Sequence, residues 1–195
     1  MYDAVADPYC YAGSKVLKNI PGLRNQRGLD EFEAAITAQR ADEPFPRGHF
    51  SASHYRAIHR HLFQDIFTWA GRYRTVRIAK DGSAFCYPEH IDREMTELFA
   101  VLKEKRHFKL LPQERFAAEA AGFLSTLNAI HPFREGNGRS QMSFVTILAA
   151  KAGHPITLGK LKPARFLIAM VTSFKGDDGP LQQQLLHLTR PARVR

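Results

Sequence analysis

Nine consecutive residues bring together chemical groups that complement one another around a phosphate. They run from His131 to Arg139 and read His-Pro-Phe-Arg-Glu-Gly-Asn-Gly-Arg. His131 carries an imidazole that can accept a proton from a hydroxyl near neutral pH. Glu135 supplies hard carboxylate oxygens of the kind that bind Mg²⁺ next to phosphates. A base and a metal-type carboxylate this close in the chain indicate phosphate chemistry.

The second half of the same segment is suited to binding an anion. Gly136, Asn137 and Gly138 are followed by Arg139 and then by residues 140–150, a segment that is typical of a buried helix. Backbone N–H groups converge in such a turn, and the helix N-terminus adds a partial positive charge. Arg139 adds a permanent cation that can hold phosphate oxygens with two prongs. A Walker loop is excluded because its spacing and its preceding strand are missing.

Each of these residues also has an ordinary structural explanation. A Gly-Asn-Gly turn commonly connects two helices, and a single histidine is commonly a hydrogen-bonded residue of the core. The combination of base, carboxylate, glycine turn and arginine within nine residues favours an active site. Phe133 and Ile130 are expected to anchor the loop in the core, and Arg134 is expected to face solvent.

The elements that position this loop are mostly helical. Apolar residues recur at spacings of three and four, and Ser51, Pro88 and Pro112 stand where helices commonly begin. The last of these helices must end near His131, because Pro132 disfavours helical geometry in the residue before it. The predicted helices cover residues 29–41, 51–67, a segment from 88 to about 102, and 112 to about 130.

One segment has a strand pattern instead. Residues 74–79 alternate polar and apolar side chains, and residues 84–87 are again strand-like. The intervening Asp-Gly step suits a tight turn, which predicts a β-hairpin. A single hairpin in a helical chain is expected to serve as a flap over the site. The residues predicted to form its tip are Lys80, Asp81, Gly82 and Ser83.

Length and composition predict one compact soluble domain. The chain has 195 residues, of which 44% are hydrophobic and 24% charged, so it can bury a core without a disulfide or a structural metal. No apolar run is long enough to cross a membrane, and the first residues do not resemble a secretory signal. We expect a domain over residues 1–189, with its core at about 51–175 and an N-terminal extension at 1–50. A basic, disordered tail is expected at 190–195.

The charge and the cysteines bear on partners and compartment. The net charge of +9 favours nucleotides, acidic proteins or nucleic acid. Direct nucleic-acid binding is not predicted, because no helix-turn-helix, finger or aromatic-basic pattern occurs. Cys10 and Cys86 lie far apart and are expected to be free thiols. A reducing cytoplasm is therefore the expected location, and delivery into another cell stays open.

The nine-residue segment resembles the signature of Fic-domain proteins. That signature reads His-Pro-Phe-x-Asp/Glu-Gly-Asn-Gly-Arg-x-x-Arg, and only its last position differs, where this chain has Met142. The similarity extends over most of the chain, and the hairpin falls where the family has its target-binding flap. The other similar segments are residues 7–19, 58–71 and 173–177.

The resemblance implies a mostly α, Fic-type helical bundle with one short β-hairpin flap over the active site. It implies a protein adenylyltransferase that moves AMP from ATP to a Tyr, Ser or Thr hydroxyl of a target protein. His131 would be the general base, and Glu135 would hold Mg²⁺ against the phosphates. Gly136, Asn137 and Gly138 would cradle phosphate, and Arg139 would bind the outer phosphates.

The resemblance also implies partners. Small bacterial Fic toxins suggest DNA gyrase or topoisomerase IV as the target. The family's inhibitory glutamate is followed by Gly or Asn, and here the only such glutamate is Glu135 itself. A separate, small antitoxin that supplies an inhibitory glutamate is therefore expected.

Three alternatives stay open. A Doc-type protein kinase is disfavoured, because such proteins usually carry lysine where this chain has Gly138. A transferase of another nucleotide or of phosphocholine is compatible with a loop that binds phosphates rather than a base. Met142 leaves open a catalytically impaired protein that binds nucleotide or partners, since methionine cannot replace the second arginine.

Overall fold

The computed structural model describes residues 7–80 and 83–190 of the chain. This part is mostly helical and contains one two-stranded sheet, as the sequence predicts. Its elements are α1 (Gln26–Asp42), α2 (Ala52–Phe63), β1 (Ala79–Lys80), β2 (Ser83–Ala84), α3 (Ile91–Glu104), α4 (Gln113–Ile130), α5 (Asn137–Ala152), α6 (Pro163–Phe174) and α7 (Gly179–Leu188).

The chain divides into two compact units. The first comprises Met1–Asp92 and His131–Ser140, so it contains all nine residues of the motif. The second comprises Arg93–Ile130 and Gln141–Arg195. The expected single domain over 1–189, with a core at about 51–175 and an extension at 1–50, stays a prediction.

In the first unit, α1 packs against α2. Helix α1 begins where Asn25 Oδ1 accepts a hydrogen bond of 2.6 Å from the Gly28 backbone N–H. Ser51 caps α2 in the same way, as expected, by accepting from the backbone N–H of His54 at 3.2 Å. These caps satisfy N–H groups that a helix start leaves without partners.

The prediction that α2 continues to residue 67 is wrong, because the helix ends at Phe63. The backbone N–H groups of Ile66 and Phe67 both donate to the carbonyl of Phe63, which turns the chain. Ile66 and Phe67 are nevertheless buried. The apolar spacing at these positions therefore indicates that the side chains are buried, and it does not indicate that the helix continues.

The hairpin exists, but its strands are shorter than predicted. Ala79 stands opposite Ala84 in an antiparallel pair, and the first strand begins at Ala79 instead of residue 74. Farther from the turn, the carbonyls of Val76 and Cys86 accept from the guanidinium of Arg74 at 2.7 and 2.5 Å. A buried side chain thus takes the place of strand pairing. Of the predicted turn, Asp81 and Gly82 lie outside the described residues.

In the second unit, α4, α6 and α7 pack against one another. Phe123 contacts Phe99 and Phe144 with ring centroids 5.5 and 5.7 Å apart. Helix α4 ends at Ile130, directly before the motif, as the His-Pro step predicts. None of the helices in the described ranges is long and apolar enough to cross a membrane.

Two smaller expectations concern the cysteines and the C-terminal tail. Cys10 and Cys86 are both in the thiol form and not joined in a disulfide, as expected. Residues 191–195 of the expected tail lie outside the described part. Arg190, the first residue of the predicted tail, donates its backbone N–H to the carbonyl of Pro155 at 3.3 Å.

Candidate active site

The backbone at the start of the motif is held by Arg74. The Arg74 Nε donates to the carbonyl of His131 at 2.8 Å, and the Arg74 backbone N–H donates to the carbonyl of Pro132 at 2.9 Å. The arginine is only 2% exposed. Since its other guanidinium nitrogens bind the two segments that flank the hairpin, one side chain joins the motif to the base of the flap.

His131 has an unusual backbone conformation. Its φ is +49°, in the left-handed region that non-glycine residues seldom occupy. Such a conformation costs on the order of 1–3 kcal/mol and persists only where surrounding contacts impose it. Arg74 supplies the contact to the backbone. Phe85, the residue after β2, stacks on the imidazole with ring centroids 3.9 Å apart, so the flap fixes the ring.

Asn137 braces the loop from the inside. Its Oδ1 accepts from the backbone N–H of Phe133 at 2.9 Å, and its Nδ2 donates to the carbonyl of the same residue at 2.8 Å. Asn137 is 1% exposed, and Phe133 is fully buried as expected. Because the amide is engaged at both ends, the group that Asn137 offers to a phosphate in this geometry is its backbone N–H.

The start of α5 has the geometry of an anion site. The first hydrogen bond of this helix runs from the Ser140 N–H to the Gly136 carbonyl at 3.1 Å. The N–H groups of Asn137, Gly138 and Arg139 therefore have no acceptor within the helix, which is how helix N-termini bind phosphates. Gly136 makes the preceding turn with a φ of +81°.

Glu135 is placed beside this anion site. Its Oε1 accepts from the Gly136 N–H at 2.9 Å and lies 3.9 Å from Nη2 of Arg139. Its side chain is about one-third exposed. Within residues 7–80 and 83–190, no three His, Cys, Asp or Glu side chains gather into a metal site. A lone accessible carboxylate fits Mg²⁺, which commonly takes one or two carboxylates together with substrate phosphates and water.

His59 supports the loop from α2, and the sequence analysis missed this role. Its Nε2 donates to the carbonyl of Glu135 at 3.0 Å, while its Nδ1 accepts from the Gly71 N–H at 2.9 Å. Burial lowers the pKa of His59 to about 3. A neutral ring matches these contacts, because Nδ1 must keep its lone pair. The available signal was spacing, since His59 lies four residues after Tyr55 and three before Leu62 on the apolar face of α2.

The expectation that Arg134 faces solvent is wrong. Its Nε and Nη2 both donate to Oδ2 of Asp7, at 2.7 and 2.6 Å. Less than a tenth of either side chain is exposed. An arginine within the motif thus fastens the N-terminal segment to the loop. The sequence gives no signal for this pair, because its members are 127 residues apart.

Arg139 extends from α5 to α1. Its Nη2 forms an ion pair with Glu33, and its Nη1 lies 3.5 Å from the hydroxyl of Thr37. The guanidinium also lies over the ring of Phe63, 4.8 Å from the centroid. The sequence analysis did not identify Glu33 or Thr37 as members of the site.

The structure gathers the predicted motif residues into one loop and the helix start that follows it. The hairpin residues Lys80 and Ser83 pair with each other through the backbone. Their role in binding a target, with that of Asp81 and Gly82, stays a prediction. The residues gathered at the loop are His131, Glu135, Gly136, Asn137, Gly138 and Arg139.

Two glycines of the loop offer a matched test. A Cβ at Gly136 would lie 2.4 Å from the Phe63 ring, whereas a Cβ at Gly138 would meet nothing within 4 Å. We expect Gly136→Ala to lower the free energy of unfolding by at least about 2 kcal/mol, through positive φ and overpacking. Gly138→Ala should leave it unchanged or raise it by up to about 1 kcal/mol. Chemical denaturation measures both, and equal losses would contradict the assignment of this contact.

A second test concerns the neutral state of His59. Its pKa in the folded protein lies below the ordinary value of 6.5. The contribution of neutral His59 to the free energy of unfolding is therefore fully present above pH 6.5. It is lost as the pH falls below that value, because the unfolded chain binds a proton that the folded one excludes. Between pH 7 and pH 5 this amounts to about 2 kcal/mol.

The variant His59→Gln should lose that part of the pH dependence. Its free energy of unfolding should be lower than that of the original protein at pH 7 and should fall less between pH 7 and 5. The other histidines are common to both proteins, so their contributions cancel. Urea denaturation at several pH values measures the difference, and parallel pH profiles would refute the neutral assignment.

Known proteins share both the sequence and the fold of this chain. A family model described as the Fic/DOC family matches residues 49–149. The chain is 48% identical over 185 residues to a probable protein adenylyltransferase, y4lH, of Sinorhizobium fredii (strain NBRC 101917 / NGR234), covering 94% of this chain and 96% of that protein. It is 32% identical to the protein adenylyltransferase VbhT of Bartonella schoenbuchensis (strain DSM 13525 / NCTC 13165 / R1), covering 91% of this chain and 38% of VbhT.

A solved structure with a bound nucleotide analogue shares the fold of this chain. The BepC protein of Bartonella tribocorum, a VirB-translocated effector solved with bound AMPPNP, matches this chain with a TM-score of 0.84. The match has 28% sequence identity and covers 94% of this chain and 96% of the solved BepC chain.

Proposed function

Because this chain belongs to the Fic/DOC family, we propose that its motif loop transfers AMP from ATP to a hydroxyl of a target protein. Its relatives are named protein adenylyltransferases, and the chain is an enzyme of that class. The residue assignments rest on one observation, which is that His131 and Glu135 lie in the loop that leads directly into the start of α5. The buried side chains of Arg74 and Asn137 hold that loop.

In the proposed reaction, the hydroxyl oxygen of the target attacks the α-phosphorus of ATP. His131 takes the hydroxyl proton as the new P–O bond forms, and the bond to the leaving pyrophosphate breaks. The N–H groups of Gly138 and its neighbours at the start of α5 stabilise the charge on the phosphate oxygens. This assigns the protein positioning and charge stabilisation rather than covalent chemistry.

We assign Mg²⁺ to Glu135. The accessible carboxylate beside the α5 N-terminus supports this assignment, and a bound Mg²⁺ would neutralise charge on the phosphates and on the leaving group. Arg139 would bind the outer phosphates. Met142 lies one turn later on α5 and is half-buried, so the second arginine of the family signature has no equivalent at that position.

The hairpin is proposed to hold the target. A two-stranded sheet has free strand edges, and an extended peptide can pair with such an edge through its backbone. The stacking of Phe85 on His131 supports this role, because a peptide paired next to the hairpin would lie close to the base. DNA gyrase or topoisomerase IV remains the proposed target, by resemblance to small Fic toxins. The reducing bacterial cytoplasm remains the proposed compartment.

Labelled ATP tests the reaction. The purified protein is incubated with Mg²⁺ and a bacterial lysate, using ATP labelled on the α-phosphate or on the γ-phosphate. We expect a discrete protein band to be labelled from α-labelled ATP only, with at least a hundredfold loss in His131→Ala. Replacing Mg²⁺ with EDTA, or Glu135 with Gln, should also remove the label.

The other outcomes of this experiment are informative. Label from the γ-phosphate would make the protein a kinase. No label from either nucleotide with purified gyrase and topoisomerase IV added, while AMPPNP still binds, would favour the impaired, nucleotide-binding alternative. Arg72→Ala, an exposed arginine outside the motif loop, serves as a control that should keep the label.

We also propose that a separate, small protein inhibits this enzyme as an antitoxin. The net charge of +9 supports an acidic partner. Purifying the chain from its native cells should recover a small acidic protein, and adding that protein should abolish AMP transfer. An enzyme that purifies alone and is inactive until part of its own chain is removed would contradict this proposal.

A further inference from the structure

Helix α1 contributes two side chains to the environment of Arg139. Glu33 and Thr37 are four residues apart, so they lie one above the other on the same face of α1. Glu33 forms an ion pair with Nη2 of Arg139, and the Thr37 hydroxyl lies near Nη1. The Glu33 side chain is 13% exposed, whereas that of Arg139 is 39% exposed. A shielded carboxylate thus holds a more accessible guanidinium.

The side chains of Glu33 and Thr37 are held in their positions beside Arg139. Glu33 stands in the middle of a helix of 17 residues. The Thr37 hydroxyl donates to the carbonyl of Glu33 at 2.7 Å, which orients its lone pairs for an incoming donor. Farther along α1, Arg40 binds Glu43 and Asp65 at 2.8 and 2.7 Å. Asp65 follows α2, so this ion pair ties the end of α1 to the segment directly after α2.

A guanidinium has five N–H donors. Glu33 and Thr37 engage one terminal nitrogen each, and the ring of Phe63 covers part of the group. Oε1 of Glu135 lies 3.9 Å from Nη2, which is beyond hydrogen-bond distance. Each terminal nitrogen therefore keeps a second N–H, and Nε keeps its own. An arginine with a fixed plane and remaining donors can bind a phosphate in two-pronged geometry at a smaller entropic cost than a freely rotating one.

We propose that Glu33 is a positioning residue, which fixes the guanidinium of Arg139 for the outer phosphates of ATP with the help of Thr37. This proposal rests on the proposed role of Arg139 in binding those phosphates. The alternative is that Glu33 competes with the phosphates for Arg139. The two roles change nucleotide affinity in opposite directions when Glu33 is replaced.

Nucleotide binding tests the proposal. The variants are Glu33→Ala, Glu33→Gln and Thr37→Val, with Glu31→Gln as a matched control, because Glu31 is an exposed residue of the same helix. Calorimetry measures the Kd for AMPPNP and for AMP, which lacks the outer phosphates. We expect Glu33→Ala to weaken AMPPNP binding at least tenfold and AMP binding less than twofold. Glu33→Gln should be intermediate, and Thr37→Val should weaken AMPPNP binding about threefold.

Steady-state kinetics gives a second readout. In Glu33→Ala the KM for ATP should rise at least tenfold, while kcat changes less than threefold. The double variant with Arg139→Ala should bind AMPPNP no more weakly than Arg139→Ala alone, because the two residues act through one contact. A variant that merely loosens the fold would weaken AMP and AMPPNP alike, and thermal unfolding identifies it.

The outcomes distinguish the proposed role of Arg139 from the proposed role of Glu33. If Arg139→Ala leaves AMPPNP affinity unchanged, the proposed role of Arg139 fails. If Arg139→Ala weakens binding but Glu33→Ala and Glu33→Gln do not, the positioning role of Glu33 is wrong. Tighter AMPPNP binding in the Glu33 variants would overturn it in favour of competition.

Discussion

The buried guanidinium of Arg74 is the contact on which the motif loop depends. It binds the carbonyl of His131 and the carbonyls on both sides of the hairpin. His131 adopts a positive φ that only surrounding contacts can impose. Since a buried charge is tolerated only when hydrogen bonds satisfy it, this arginine makes loop and hairpin parts of one arrangement. The conformation of His131 and the base of the flap therefore depend on each other.

Buried polar groups reinforce this arrangement from three further directions. Asn137 closes the loop on itself, His59 supports it from α2, and Arg134 ties it to Asp7. None of these side chains is more than a few per cent exposed, apart from Asp7 with its side chain 9% exposed. The accessible groups are Glu135 and Arg139, which are a third or more exposed. The loop thus combines a rigid, satisfied interior with a surface left for a nucleotide, as preorganised electrostatic catalysis requires.

Neutrality of His59 shows how charge is distributed in this interior. Burial lowers its pKa to about 3, so the loop is supported by a group that carries no charge at neutral pH. The accessible cation at the site is Arg139, whose partner Glu33 has its pKa raised, chiefly by burial.

The sequence by itself determined the residue types of the candidate site and most of the local structure. The residues from His131 to Arg139 specify base, carboxylate, anion site and arginine, because those functions depend on residue type and short spacing. Helix starts at Ser51 and near Pro112 follow from local capping and backbone sterics. Tertiary structure decided which side chains hold that chemistry in place. His131, whose carbonyl binds Arg74, is 57 residues from it; Asp7 is 127 residues from Arg134, and Glu33 is 106 residues from Arg139. Hydrogen bonds across such separations leave no periodic trace in the sequence, because they arise only when the folded chain brings those segments together.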